Sequence, residues 1–233
     1  ISLRKVIEKL GVSFDEIKDW SCCGATCAHV TNHRLSTALA MRNIMLAEQQ
    51  GMENIIAPCA ACYNRLIMSQ HEIELHPEIK NETEELLSAK FKKNLKVFNI
   101  LELFLKIGIN KISENRKREL SDLKVACYYG CLLVRPASIT KFDDAEQPVS
   151  MERIAEATGA QTIDWNYKVE CCGAAHSIAR RDIVVDLSKN IIDDARAHGA
   201  NVMAVACPMC HTNLDMRQRA MRRKYPGHED FPV

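Results

Sequence analysis

An α/β fold of two tandem, pseudo-symmetric modules, each a small parallel sheet flanked by helices, is what the sequence predicts. Three observations predict it. The cysteine-bearing segments recur: Cys22-Cys23-Gly24-Ala25 returns as Cys171-Cys172-Gly173-Ala174, 149 residues on, and Cys59-x-x-Cys62 returns as Cys207-x-x-Cys210, 148 on. Short apolar runs alternate with helical periodicity in both copies, the pattern of a parallel sheet with helices on its faces. Each apolar run leads straight into a CxxC pair, and ligands of such sheets gather at the carboxyl ends of the strands. The repeat assigns residues 1–120 to the first module and 121–233 to the second.

The elements follow in order. Ser2 and Ser150 each precede one apolar stripe, Leu3-Val6-Ile7-Leu10 and Met151-Ile154-Ala155-Thr158, stopped by Gly11 and Gly159. Each reads as a helix with a serine N-cap and a glycine stop. A longer helix spans Arg34–Gln50, and its counterpart spans Arg180–His198 with Val184, Leu187, Ile191 and Ala195 on one face. Strands at Asn54–Ala57 and Val202–Ala206 follow, and each CxxC pair should open a helix whose N-terminal amides favour thiolate charge. Between the copies, Pro77–Lys93 reads as a charged, solvated helix and Lys96–Ile100 as a strand leading into a helix through Ile107. Glu114–Glu119 is a charged surface turn or helix, and Leu123–Tyr128 is the first strand of the second copy.

Composition narrows the function. The 233 residues are 47% hydrophobic, enough for a packed core, and a formal net charge of +1 suggests neither a nucleic-acid surface nor a polybasic membrane anchor. No apolar run reaches the roughly 18 residues of a membrane span. The eleven cysteines are odd in number and clustered, and a chain of this size does not need disulfide staples.

Metal is the stronger use for these thiols. The second copy offers five, Cys131, Cys171, Cys172, Cys207 and Cys210, and the first offers four, Cys22, Cys23, Cys59 and Cys62. A structural zinc takes four ligands, commonly as two chelating pairs. Five thiols exceed that number, and adjacent cysteines, whose side chains diverge, suit a cluster in which each can reach a different iron. A zinc scaffold, or one cluster with one zinc, remains the alternative. Cys27 and Cys127 fall outside the repeat and read as buried small hydrophobes.

The segments DWSCCGA, APCAACYNRL, VACYYGCLLVRP, ECCGAAHS and ACPMCHTNL resemble the CCG, or cysteine-rich, domain family, and within it the B subunits of heterodisulfide reductases, over nearly the whole chain. The resemblance implies a noncubane 4Fe–4S cluster in each module, held by the nine repeat cysteines. It also implies cleavage of a mixed disulfide of small anionic thiol coenzymes, of the methanogenic kind, into two thiols. The family pattern places a further cysteine ahead of the first Cys-Cys-Gly, which this chain does not show, so the first site is open to a zinc or to no cluster. The implied partners are a ferredoxin-like 4Fe–4S subunit and a flavin-containing subunit, and the implied location is the cytoplasm. The chain itself has no Rossmann glycine fingerprint and no P-loop, so its electrons must come from a partner.

Two electrons split a disulfide, and two clusters facing one pocket could each supply one. His33, Arg34, His176, Arg180, His211 and Arg135 lie near the cysteines in sequence. They are either cations for an anionic substrate or ordinary surface and capping residues. Two other readings stay open: an electron-transfer subunit of a lactate, glycolate or succinate oxidoreductase, and a zinc-stabilised interaction module. The repeat also predicts a strand and a cysteine about 19 residues upstream of Ser2, and a strand and helix beyond Val233, with roughly 20–30 residues lost at each end.

Overall fold

The computed structural model describes residues 2–25, 28–92 and 95–233. Cys27, assigned above to the core, lies outside them. The first half runs α1 (Ser2–Lys9), α2 (Ala28–Thr31), α3 (His33–Gln49), β1 (Asn54–Ala57), α4 (Ala60–Leu75), α5 (Pro77–Leu86), β2 (Lys96–Asn99), α6 (Ile100–Ile107) and α7 (Ile109–Asn115). The second runs β3 (Lys124–Tyr128), α8 (Ala137–Thr140), α9 (Ser150–Ala157), β4 (Gln161–Thr162), a 3-10 turn (Ala174–His176), α10 (Arg181–Ala197), β5 (Val202–Val205), α11 (Pro208–Leu214) and α12 (Gln218–Lys224).

Both sheets are parallel, as the alternation requires. β1 pairs with β2, Ile55 opposite Val97. In the second sheet β3 lies between β4 and β5, with Val125 opposite Thr162 on one side and Val202 on the other. The Met203 N–H donates to the Pro232 carbonyl at 2.9 Å, so the last residues of the chain run beside β5 on the side away from β3. The apolar core is continuous between the halves, joining Ile44 and Ala47 of α3 to Tyr128, Ile191 and Ile192.

Local chemistry explains most boundaries. Asn32 caps α3 by accepting from the Leu35 N–H at 3.0 Å. Asn99 and Glu102 form a reciprocal capping box at the start of α6, which fixes the turn out of β2. Several details depart from the sequence reading, the short helices α2, α7, α8 and α12 among them. Ser2 and Ser150 are helical residues rather than caps; before Ser150 the Asp143 carboxylate accepts from the N–H groups of Val149 (3.0 Å) and Ser150 (2.7 Å). A carboxylate folded back from the preceding loop is a stronger acceptor than the serine hydroxyl. The charged helix from Pro77 stops at Leu86, and it is not wholly solvated. Its Glu84 is buried, taking the Phe91 N–H at 3.1 Å and Lys90 at 2.6 Å, so the chain after it turns back. The two-residue β4 was not foreseen, being too short to show a period. Among the described residues no helix is long and apolar enough to cross a membrane.

Candidate functional site

The repeat cysteines sit just past strand ends, in the first turns of helices, or in the Cys-Cys-Gly turns. β1 ends at Ala57, and Cys59 then takes the N-cap of α4 in extended conformation (φ −107°, ψ 125°). Cys207 takes the same place on α11 (φ −127°, ψ 123°), with Pro208 at the first helical position, where its missing N–H costs nothing. Cys131 follows β3 through Tyr129 and Gly130. The adjacent cysteines diverge as expected: Cys22 and Cys171 are exposed, Cys23 and Cys172 buried.

The thiols meet. Cys23 Sγ lies 3.1 Å from Cys62 Sγ, and Cys172 Sγ lies 3.5 Å from Cys210 Sγ. Cys59 also lies near enough to Cys62 and Cys207 for each to alter the others' charge, as do Cys207 and Cys210, and Cys131 and Cys171. These neighbours form a line, Cys23, Cys62, Cys59, Cys207, Cys210, Cys172, whose two end pairs are in contact and whose middle crosses from one half of the chain to the other at Cys59 and Cys207. None of the ten described cysteines forms a disulfide. Cys22 stands apart at the surface, and Cys127 is fully buried away from this line, as the sequence reading has it.

In each neighbouring pair one thiol is the better anion. Contact with Cys62 holds the Cys23 thiol down to about 6, and contact with Cys131 holds Cys171 down to about 6. Cys207 is lowered by Cys210 and Cys59, and Cys172 by Cys210. Their partners Cys62, Cys131 and Cys210 are pushed up, because each keeps its proton to donate to the neighbouring sulfur, and burial and repulsion disfavour a second thiolate. Cys59 is pushed up chiefly by Cys207.

The backbone is shaped around these sulfurs. Gly130 has φ 65°, and a Cβ there would stand 3.2 Å from Cys210 Sγ, so only glycine lets the strand end pass the sulfur set. Gly173 has φ 78°, and a Cβ there would meet Leu187 at 3.0 Å, which is why the Cys-Cys-Gly turn can close on α10. Asn64 on α4 donates to the carbonyls of Leu132 (2.9 Å) and Arg135 (2.8 Å), tying the loop after Cys131 to the helix that carries Cys62. The N–H groups of Tyr129 and Gly130 both donate to the Lys168 carbonyl, at 2.9 and 3.2 Å. The Lys168 ammonium is buried and pairs with Glu152 at 3.0 Å, and Glu152 also accepts from the Tyr129 hydroxyl. Tyr128 donates to the Glu170 carbonyl at 2.6 Å and packs against Trp165.

The cations chosen from sequence are turned elsewhere. Arg34 pairs with Glu82, Arg180 with Asp182, Arg135 with Glu146, His33 with Glu72, and His211 approaches Asp215 at 4.0 Å. Of these only His176 lies near enough to a repeat cysteine, Cys171, to bear on its charge. Arg65, Asn213 and Arg217 were missed: Arg65 acts on Cys23, Asn213 bonds Cys172 Sγ at 3.4 Å, and Arg217 bonds Asn213 at 2.9 Å. The signal was available, since Arg65 and Asn213 each lie three residues after the second cysteine of a CxxC pair, one helical turn on.

Among the described residues, no group of three or more His, Cys, Asp or Glu side chains stands ready as a site for a single metal ion. The donor set nevertheless fits a polynuclear, thiolate-held group. It consists of soft sulfur ligands in abutting pairs, with Gly130 leaving room that a side chain would fill.

Sequence comparison defines the class of protein. The model of the cysteine-rich (CCG) domain matches residues 1–67 and 125–215, and the chain belongs to that family. More particularly, it is 31% identical to the B subunit of the ferredoxin/F(420)H(2)-dependent CoB-CoM heterodisulfide reductase of Methanosarcina acetivorans, over 97% of this chain and 77% of that one. It is 27% identical to the 8-methylmenaquinol:fumarate reductase membrane anchor subunit of Wolinella succinogenes, over 100% of this chain and 81% of that one. A hypothetical protein from Helicobacter pylori shares the fold at 10% identity and a TM-score of 0.67, over 88% of this chain and 37% of that one.

Proposed function

We propose that this chain is the iron–sulfur subunit of a heterodisulfide reductase-like complex, splitting a disulfide into two thiols. Cys22, Cys23, Cys59 and Cys62 in residues 1–120, and Cys131, Cys171, Cys172, Cys207 and Cys210 in residues 121–233, would hold two noncubane 4Fe–4S clusters. The observation that carries this reading is that the sulfur line joins the two sets: Cys59 of the first neighbours Cys207 of the second, and the pairs Cys23–Cys62 and Cys172–Cys210 lie in contact on either side. The likeness to a heterodisulfide reductase B subunit over 97% of the chain supports it.

The clusters would supply one-electron transfer and iron sites for sulfur. The chain's own residues do the rest. The helix-entrance positions of Cys59 and Cys207 favour thiolate charge. Asn64 and the Lys168 carbonyl fix the loop that carries Cys131. The reaction consumes one disulfide, two electrons and two protons and yields two thiols. The electrons would come from a ferredoxin-like partner and, upstream of it, a flavin subunit, in the cytoplasm.

Anaerobically prepared protein supplied with a low-potential donor should convert a small anionic disulfide to two thiols per two electrons. Stoichiometric zinc with negligible sulfide would overturn the cluster reading. Clusters with no disulfide turnover and no disulfide-induced spectral change would favour electron transfer alone. That second reading has its own support, the 27% identity to a fumarate reductase anchor subunit over the whole chain.

A further inference from the structure

Positions 65 and 213 are equivalent in the repeat, and so are 69 and 217. The two modules fill them in exchanged order. The first carries Arg65 and Ser69, and the Arg65 guanidinium donates to Ser69 Oγ at 3.2 and 3.3 Å. The second carries Asn213 and Arg217, and Arg217 Nε donates to Asn213 Oδ1 at 2.9 Å.

The exchange changes what acts on the sulfur. In the second module a neutral amide does: Asn213 is fully buried and donates to Cys172 Sγ at 3.4 Å. Arg217 stands behind it, held to the Ser177 carbonyl at 2.8 Å. In the first module no amide stands at this place; the position carries Arg65, whose charge acts on Cys23 without a hydrogen bond to it. Arg65 lies one helical turn beyond Cys62, whose sulfur touches Cys23 at 3.1 Å, and its side chain is only 17% exposed. Its counter-ion is distant from the sulfurs. Glu72 approaches Arg65 at 4.0 Å, but it sits seven residues further along α4, roughly 10 Å down the axis, and is shared with His33 and Thr37.

We propose that this exchange sets the two thiolate-held centres at different reduction potentials, with Arg65 raising that of the first by its fixed charge. The inference rests on the reading that both sulfur sets hold clusters. Reduction adds one electron to a centre already negative, and a nearby cation in a partly buried site lowers the energy of that form. The second centre receives a hydrogen bond where the first receives a charge. No bond is made or broken; one electron from the partner donor is held more firmly in the first module.

The test is a spectroelectrochemical titration of the anaerobic protein after its iron and sulfide have been counted. Cys171→Ser, which removes a second-module ligand, assigns the remaining signal to the first centre. Arg65→Met should raise the oxidised-to-reduced ratio of the first centre about tenfold at fixed potential, a fall of about 59 mV for a one-electron couple, and leave the second in place. Arg65→Lys should stay within about threefold of the parent. Glu72→Gln, which strips Arg65 of its counter-ion, should move the first centre the opposite way, and it decides the matter if Arg65→Met loses its cluster. Clusters whose potentials do not move, move together, or move equally in the Met and Lys variants overturn this inference alone. Protein without iron and sulfide overturns the cluster reading and this inference with it.

Discussion

Lys168 and Glu152 form a buried ion pair beneath the loop that delivers Cys131, and Lys168→Met should expose how much that loop depends on it. The two side chains are 7% and 10% exposed and 3.0 Å apart, while Asp164, the other partner of Lys168 at 3.4 Å, is almost wholly in solvent. Removing the ammonium leaves a buried carboxylate with the Tyr129 hydroxyl as its remaining strong partner. Breaking such a pair costs about 3–5 kcal/mol. For a chain of this length each kcal/mol moves Tm by roughly 2–4 °C, so a fall of about 6–20 °C is expected. Glu152→Gln should cost less, because Lys168 keeps Asp164. In a double-mutant cycle read by denaturant unfolding, the pair should show a coupling energy of about 1–3 kcal/mol. Additive losses would refute the reasoning. The pH dependence follows from direction. Burial alone would lower the Lys168 pKa, but its bonds to Glu152 and Asp164 overcome that and raise it. A raised folded pKa means the contribution is whole below the unfolded lysine value of about 10.4 and is lost as pH climbs through the folded value. The stability gap between parent and Lys168→Met should therefore be flat through neutral pH and narrow only in strong alkali.

Gly130→Ala should destabilise the protein by about 2–3 kcal/mol, from the left-handed backbone and the 3.2 Å approach to Cys210, and lower its iron content; wild-type unfolding with full iron would refute this. Asn64→Ala should cost about 1–2 kcal/mol in urea unfolding, since two carbonyls lose their donor, and a change under about 0.3 kcal/mol would show that water replaces it freely. Cys171→Ser should lose about half of the iron and sulfide and spare the other half; loss of both sets together would show that they assemble as one unit.

Elements whose evidence lies within one stretch of chain were legible in the sequence. The helix read as Arg34–Gln50 forms as His33–Gln49, and the strand Asn54–Ala57 forms as read, because periodicity and capping are local. The placement of both CxxC pairs at strand ends was legible for the same reason. β4 was not, because two residues become a strand only when β3 lies beside them. The serine cap of α9 failed likewise, displaced by Asp143 from a loop whose return no local pattern announces.

By itself, then, the sequence determined the repeat of its cysteine-bearing segments and the strand and helix alternation. Tertiary structure alone decided that Cys59 and Cys207 neighbour each other, that Lys168 and Glu152 lie under the Cys131 loop, and that the Arg65 charge acts on Cys23 where the Asn213 amide bonds Cys172. The physical reason is range. Hydrophobic period, capping and turn preference act over a few residues. The field of a guanidinium and the contact of two sulfurs depend on distances that only the packed core sets.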